Sequence, residues 1–334
     1  MANYDPKLYF VDVGHGNCSV LVDERGVVLV DAGPRNHAKL FLQKLGIKKV
    51  EVVLISHADE DHIAGLLALV ACESFEIGSV ALNPDSCKDT QLWNDLLYTL
   101  DKAHCEGKLK FQTSLTAYDL DTGRFDQGDV RIQIVAPSQY LAARGPGSKD
   151  RARRRIATNS TSAVVRLVKN GRPMAFLAGD IDQTGLTNLA RSNRPTRAHI
   201  LVFPHHGGLP GTTDPARFAA EVCRLVKPSV VVFSIGRGEH DTPNPTVVAA
   251  IRRNHRGVRI VCTQLSEHCA RTVPTTDPPH TRDHHARGRA ARGCCAGTIE
   301  VDLAHFPPHV KPDKATHREF IARAAPTALC TKRP

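Results

Sequence analysis

Val52-Val53-Leu54-Ile55-Ser56-His57-Ala58-Asp59-Glu60-Asp61-His62-Ile63-Ala64-Gly65-Leu66-Leu67 passes from one apolar run to another through a short polar stretch. Four side chains that can bind a metal, His57, Asp59, Asp61 and His62, fall within six residues of it. The first run reads as a buried strand and the second as the start of a helix, which puts the polar residues at a strand-to-helix junction. On a strand alternate residues face opposite sides, and on a helix only residues three or four apart share a face. One regular element therefore cannot aim all four groups into one volume, and the spacing predicts an irregular loop. The competing reading is a surface turn with Asp61 capping the following helix.

Residues elsewhere favour metal. Val27-Val28-Leu29-Val30-Asp31-Ala32-Gly33 is an apolar strand ending in a carboxylate, and Phe176-Leu177-Ala178-Gly179-Asp180 repeats the device. Ile200-Leu201-Val202-Phe203-Pro204-His205-His206-Gly207-Gly208 ends in two imidazoles. Four apolar runs, each delivering Asp or His at its end, make chance clustering a poor explanation.

In order and content these residues resemble the metallo-β-lactamase superfamily, and within it the soluble hydrolase (nuclease) domain of the competence protein ComEC and its stand-alone relatives. The resemblance spans about residues 8–265 and also rests on Phe10-Val11-Asp12-Val13-Gly14-His15-Gly16-Asn17, Asn159-Ser160-Thr161-Ser162 and Ser234-Ile235-Gly236. It implies an α/β fold, a four-layer αββα sandwich with two mixed β-sheets and a dinuclear metal site at one edge. The alternation of strand-like runs with helical segments at 38–45 and 92–103 agrees. Carried over, His57 and Asp59 would hold one metal, and Asp61 and His62 the other. Asp180 would bridge them, either His205 or His206 would complete the second site, and Asp31 would support the ligands from behind. Asp61 and Asp180 are thereby the expected catalytic carboxylates.

Two departures from the superfamily pattern bear on the chemistry. Asp59 stands where a histidine is usual, as in the ComEC-like branch, and a carboxylate there makes the site harder. Mn²⁺ is therefore favoured, with Zn²⁺ or Mg²⁺ as alternatives. The histidine usual between the first cluster and the bridging aspartate is missing, since His104 reads as an exposed helix residue. The ComEC-like branch has an Asn-x-x-Ser element there, matched by Asn159 and Ser162, whose polar groups could orient a water or a phosphate oxygen; turn chemistry is the rival reading. His15 lines the cleft or caps its turn. His240 acts on a leaving group or is simply a turn residue.

Two divalent ions can generate a bridging hydroxide and stabilise developing charge on attacking and leaving oxygens, which suits phosphodiesters. The formal net charge of +10, with arginines concentrated at 144–155 and 282–292, would attract a polyanion. The leading expectation is thus a phosphodiesterase or nuclease acting on DNA or RNA. A small-molecule metallohydrolase (lactone, β-lactam or cyclic nucleotide) and a non-catalytic nucleic-acid-binding module are the alternatives. Stand-alone relatives often work with protein partners in bacterial DNA-handling or defence systems.

The 334 residues divide into a hydrolase domain over 1–303 and a tail with a short helix over 304–334. Within the domain, the Pro-, Arg- and His-rich stretch 270–293 reads as a flexible basic insertion. The polar start before Leu8 offers no secretory signal and no apolar run reaches the length needed to span a bilayer, so a cytoplasmic protein without a membrane partner is expected. Ten cysteines then read as reduced thiols. Five of them, Cys262, Cys269, Cys294, Cys295 and Cys330, with His268 nearby, form a group that could hold a structural zinc, although their spacing matches no zinc ribbon.

Overall fold

Strands that are apolar along their whole length need cover on both faces. Val27-Val28-Leu29-Val30 meets that need by sending alternate residues into two cores: Val28 and Val30 face a second sheet, while Val27 and Leu29 face helices. The same division applies across the molecule.

The computed structural model describes residues 5–275 and 277–331; residues 1–4 of the polar N-terminal stretch lie outside them. The first half of the chain forms β1 (Lys7–Phe10), β2 (Cys18–Asp23), β3 (Gly26–Ala32), α1 (His37–Lys44), β4 (Lys49–Leu54), α2 (Glu60–Val70), β5 (Glu76–Ala81), α3 (Gln91–Cys105) and β6 (Lys110–Gln112). The second half forms β7 (Val130–Ala136), α4 (Gln139–Arg144), β8 (Val164–Lys169), β9 (Arg172–Leu177), α5 (Gln183–Ala190), β10 (Ile200–Val202), α6 (Pro215–Val226), β11 (Val230–Phe233), α7 (Pro245–Asn254) and β12 (Arg259–Cys262). After these come β13 (Ile299–Asp302), β14 (His309–Lys311) and α8 (Lys314–Ala324).

One sheet has eight strands in the order β14-β13-β1-β2-β3-β4-β5-β6, and the other six in the order β12-β11-β10-β9-β8-β7. Both are mixed: β3 to β6 run parallel on an otherwise antiparallel sheet, and β9 to β12 run parallel beside antiparallel β7 and β8. Leu8, Phe10, Leu54, Ile134, Val165 and Val232 share the core between the sheets. Phe41, Leu66 and Trp93 cover the outer face of the first sheet, and Phe218, Ile251 and Ile321 that of the second. This is the α/β, four-layer αββα arrangement expected from the sequence.

Parallel strands end together, and in an α/β architecture ligand sites form beyond their carboxyl ends. The ends of β3 and β4 deliver Asp31, Ser56 and His57, and those of β9, β10 and β11 deliver Asp180, His205, His206 and Ser234. Asp59 is the N-cap residue of α2, yet its side chain accepts no capping hydrogen bond. Asp61, the residue the capping reading named, lies inside the first turn instead of at the N-cap, so that reading fails. The irregular segment is also shorter than expected, because Asp61 and His62 already lie in the first turn of α2.

Past residue 303, β14 pairs with β13, and α8 inserts Phe320 and Ile321 into the outer core of the second sheet. Among the described residues no helix is long and apolar enough to cross a membrane.

α2 comes close enough to β3 for the Gly65 N–H to donate to the Gly33 carbonyl at 2.8 Å. A Cβ at Gly65 would lie 2.1 Å from the Ala32 carbonyl oxygen, which leaves no room for a side chain. Gly65→Val is expected to destabilise the fold by about 1–3 kcal/mol or more. Urea denaturation should show this as a lower midpoint at unchanged slope.

Candidate metal centre

A buried carboxylate organises the site. Asp31 accepts the Ser56 N–H at 2.7 Å, the Ser56 hydroxyl at 2.8 Å and His62 Nδ1 at 2.7 Å. An ionised carboxylate can only accept, so His62 carries its proton on Nδ1. Because Ser56 Oγ gives its own proton to Asp31, it accepts from His57 Nδ1, 2.9 Å away. Both imidazoles thus turn Nε2 away from Asp31, and both Nε2 atoms are buried without a hydrogen-bond partner. A buried polar atom left unpaired is costly, and a cation would satisfy it.

On that side Asp61, His62, Asp180 and His206 each present a ligand atom, all within 4.8 Å of one another. His206 Nε2 lies 3.0 Å from Asp61 Oδ2 and 3.6 Å from Asp180 Oδ2, and His62 Nε2 lies 3.7 Å from both Asp61 and Asp180. His206 Nδ1 is fixed by the Ser234 carbonyl at 2.9 Å. His205 and His206 both occupy the left-handed region, at φ 52° and 53°, a conformation rare for residues with a side chain. His205 packs its ring near Phe218 and sets Nδ1 3.7 Å from Asp180 Oδ2. The tandem histidines thus both flank Asp180, but only His206 joins the cluster of four.

His57 Nε2 is 3.2 Å from Asp59 Oδ2, and Lys88 forms an ion pair with the other Asp59 oxygen. Nothing in the sequence around Lys88 announced this contact. Ser56 was likewise missed as an organising group, although it stands inside the motif.

The charges are strongly interdependent. Burial opposes ionisation of Asp180, but His206, His62 and His205 hold its carboxyl well below the usual range. Asp61 is lowered in the same way by His62 and His206. Against the effect of burial, Asp31, Asp61 and Asp180 push His62 well above its ordinary value, and Asp180 and Asp61 raise His206. A metal entering here has to displace the protons these imidazoles attract.

Residues 11–135 match the model of the Metallo-beta-lactamase superfamily. The fold is the metallo-β-lactamase sandwich. With that match, the buried Asp-His cluster is a candidate metal site. Among solved structures, the metallo-beta-lactamase fold protein YhfI from Bacillus subtilis aligns at 12% identity over 77% of this chain and 97% of its own, with a TM-score of 0.48. Igni18, a metallo hydrolase from the archaeon Ignicoccus hospitalis KIN4/I, aligns at 13% identity over 76% and 94%, with a TM-score of 0.43. Human tRNase Z, short form, aligns at 16% identity over 67% and 91%, with a TM-score of 0.38. No curated protein matches the sequence.

In this metallo-β-lactamase sandwich the Asn159 to Ser162 segment adjoins the centre through two bonds. Ser162 Oγ accepts the Asp180 N–H at 3.1 Å, and the Ala163 N–H donates to the Ser56 carbonyl at 2.8 Å. Ser162 therefore anchors the backbone of Asp180, whose carboxylate lies within 4 Å of His62, His205 and His206. The side-chain oxygen of Asn159 is buried without a partner.

The opposite wall holds His15 and His240. The His15 ring lies 4.3 Å from that of His206 and 4.1 Å from that of His240, centroid to centroid, tilted to both, with Nε2 3.8 Å from Asp61. Burial and the neighbouring His206 push its pKa down to about 3 against the pull of Asp61, so His15 is neutral. His240 is exposed at the mouth of the cleft in a left-handed conformation, φ 54°. Its loop is anchored by Glu239, which accepts the His15 N–H at 3.2 Å and pairs with Arg287 at 2.7 Å. Arg287 belongs to the 270–293 stretch, which folds back so that the Arg287 N–H donates to the Asp12 carbonyl at 3.0 Å.

Asp31→Asn keeps the size of the side chain but removes the charge that selects the Nδ1–H tautomer of His62. Metal affinity is expected to fall about 10–100-fold, as measured by titrating the metal-stripped protein with Mn²⁺ or Zn²⁺ under calorimetry.

Proposed function

We propose that the chain is a metal-dependent phosphodiesterase that cleaves DNA or RNA. The observation that carries this reading is the seating of the arginine-rich loop 144–155 beside the metal centre. Cys87 Sγ donates to the Pro146 carbonyl at 3.2 Å and the Thr158 hydroxyl donates to Asp85 at 2.6 Å. The 83–90 segment held by these bonds is the one that brings Lys88 to Asp59. Arg144, Lys149, Arg151, Arg153 and Arg155 are exposed, and none takes part in an ion pair among the described residues. Unpaired cations around a carboxylate-lined centre suit a substrate that is anionic along its length.

In this reading His57, Asp59 and His205 would hold one ion, and Asp61, His62 and His206 the other, with Asp180 within reach of both. His205 then takes the place of the histidine missing between the first cluster and Asp180. When bound, the ions supply Lewis acidity at the phosphoryl group and lower the pKa of a water. Three carboxylates in the donor set favour Mn²⁺ over Zn²⁺. Asp31 and Ser56 keep the imidazoles aimed, and Ser162 holds Asp180 in register. Lys88 offers its ammonium to a phosphate oxygen beside Asp59. At the open mouth, the His240 imidazole hands a proton to the departing oxygen.

Purified protein should cleave linear single- or double-stranded DNA or RNA when Mn²⁺ is added. Asp61→Ala and Asp180→Asn should both remove the activity while the circular dichroism spectrum stays unchanged. Cleavage that persists in either variant would sink the assignment of the centre. Cleavage of lactones or β-lactams but of no nucleic acid would move the substrate to a small molecule.

The basic rim makes a separate, quantitative claim. Replacing Arg153 and Arg155 by Ala should weaken DNA binding about equally for all sequences and reduce the slope of log affinity against log salt by about 2. Fluorescence anisotropy at several salt concentrations, with the metal withheld to prevent turnover, reads this directly.

A further inference from the structure

Away from the catalytic edge, a small enclosed space of about 10 Å³ is lined by Cys262, Cys269, Cys295, Cys330 and His317, together with mostly apolar residues such as Ile260 and Leu329 and the polar Gln264 and Ser266. The five come from separate parts of the chain. Cys262 ends β12, and Cys295 lies on the neighbouring backbone, where its N–H donates to the Thr263 carbonyl at 3.1 Å. His317 projects from α8, and Cys330 follows that helix. Cys295 Sγ and His317 Nε2 are 3.2 Å apart. Cys294 points elsewhere, with its thiol 3.5 Å from Asp12, and His268 pairs with Asp241 at 2.9 Å, so neither belongs to the group.

We propose that four of these five residues, Cys295 and His317 among them, bind a structural zinc ion that fastens α8 and the segment after it to the end of β12. The donor set is the thiolate-imidazole chemistry zinc prefers, and the walls exclude water that would compete. No three of these ligand atoms lie within 4.8 Å of one another, whereas four do in the Asp61 cluster, so ion uptake has to draw the sulfurs inward to bonds of about 2.3 Å.

The test uses the full chain, stripped of metal and loaded with Co²⁺. Thiolate ligands give an intense near-ultraviolet charge-transfer band that the imidazole and carboxylate groups of the catalytic centre cannot produce. The band is expected in the wild type and in Cys294→Ser, and is expected to lose intensity in Cys295→Ser, which removes one thiolate. Its absence from the wild type, or an unchanged intensity in Cys295→Ser, overturns the proposal. Should Cys295→Ser fail to fold, alkylation of the zinc-loaded wild type decides, read by mass spectrometry. Protection of Cys262, Cys269 and Cys295 that is lost on adding a chelator supports the site, and protection indifferent to the chelator refutes it.

Discussion

The Asp31 carboxylate is the constraint on which the rest of the centre depends. It lies at the end of a strand in the first sheet, is 2% exposed, and spends both oxygens on the turn that follows β4. A buried carboxylate is tolerable only when its oxygens are fully engaged. Ser56 and His62 provide that engagement, and in doing so they lose their own conformational freedom. The consequence reaches past the three residues, because Ser56 passes the constraint on to His57. Two imidazoles on different elements are thereby held in one tautomer with Nε2 toward the cleft. Preorganisation of this kind is what separates a metal site from a loose group of ligand residues.

The second sheet answers this arrangement from across the cleft. Asp180 is placed by Ser162 Oγ and by the His205 N–H, which donates to it at 3.0 Å. It therefore lies where the His62 and His206 rings converge. The two halves need each other electrostatically: carboxylates alone would repel, and imidazoles alone would be pushed neutral by burial. Packed together they stabilise one another, and the sandwich core brings them within reach. The site is thus a property of the interface between two sheets, and no contiguous stretch of chain contains it.

Around that centre the walls are supplied by segments remote in sequence. Residues 144–158 bear on the 83–90 segment, and Arg287 reaches Glu239 and with it the loop that presents His240. Such contacts leave the metal ligands untouched but determine what can approach them. On the proposed reading, one wall is cationic and meets the phosphate backbone, while the other presents imidazoles to the leaving group. Substrate choice would then rest on loops laid over a fixed scaffold.

The sequence by itself determined the layers and most of the centre, because both depend on local patterning. Short apolar runs rich in β-branched residues, such as Val230 to Phe233, read as buried strands, and strands ending in Asp31, Asp180 and His205-His206 announce where polar groups emerge. The position of Asp59 in a helix cap it does not serve was legible as a motif but not as geometry, since the choice between capping and binding is made by what faces it. Only the tertiary structure decided that His206 joins the Asp61 cluster while His205 stands beside it, because the direction of each ring is set by a left-handed backbone at both residues that the sequence does not announce. Only the tertiary structure brought Lys88 to Asp59 and His317 to the cysteines, contacts between elements whose spacing along the chain carries no periodic signal. Local propensity acts over a few residues and can be read from sequence, whereas pairing across two sheets and their loops depends on the packed core that holds them.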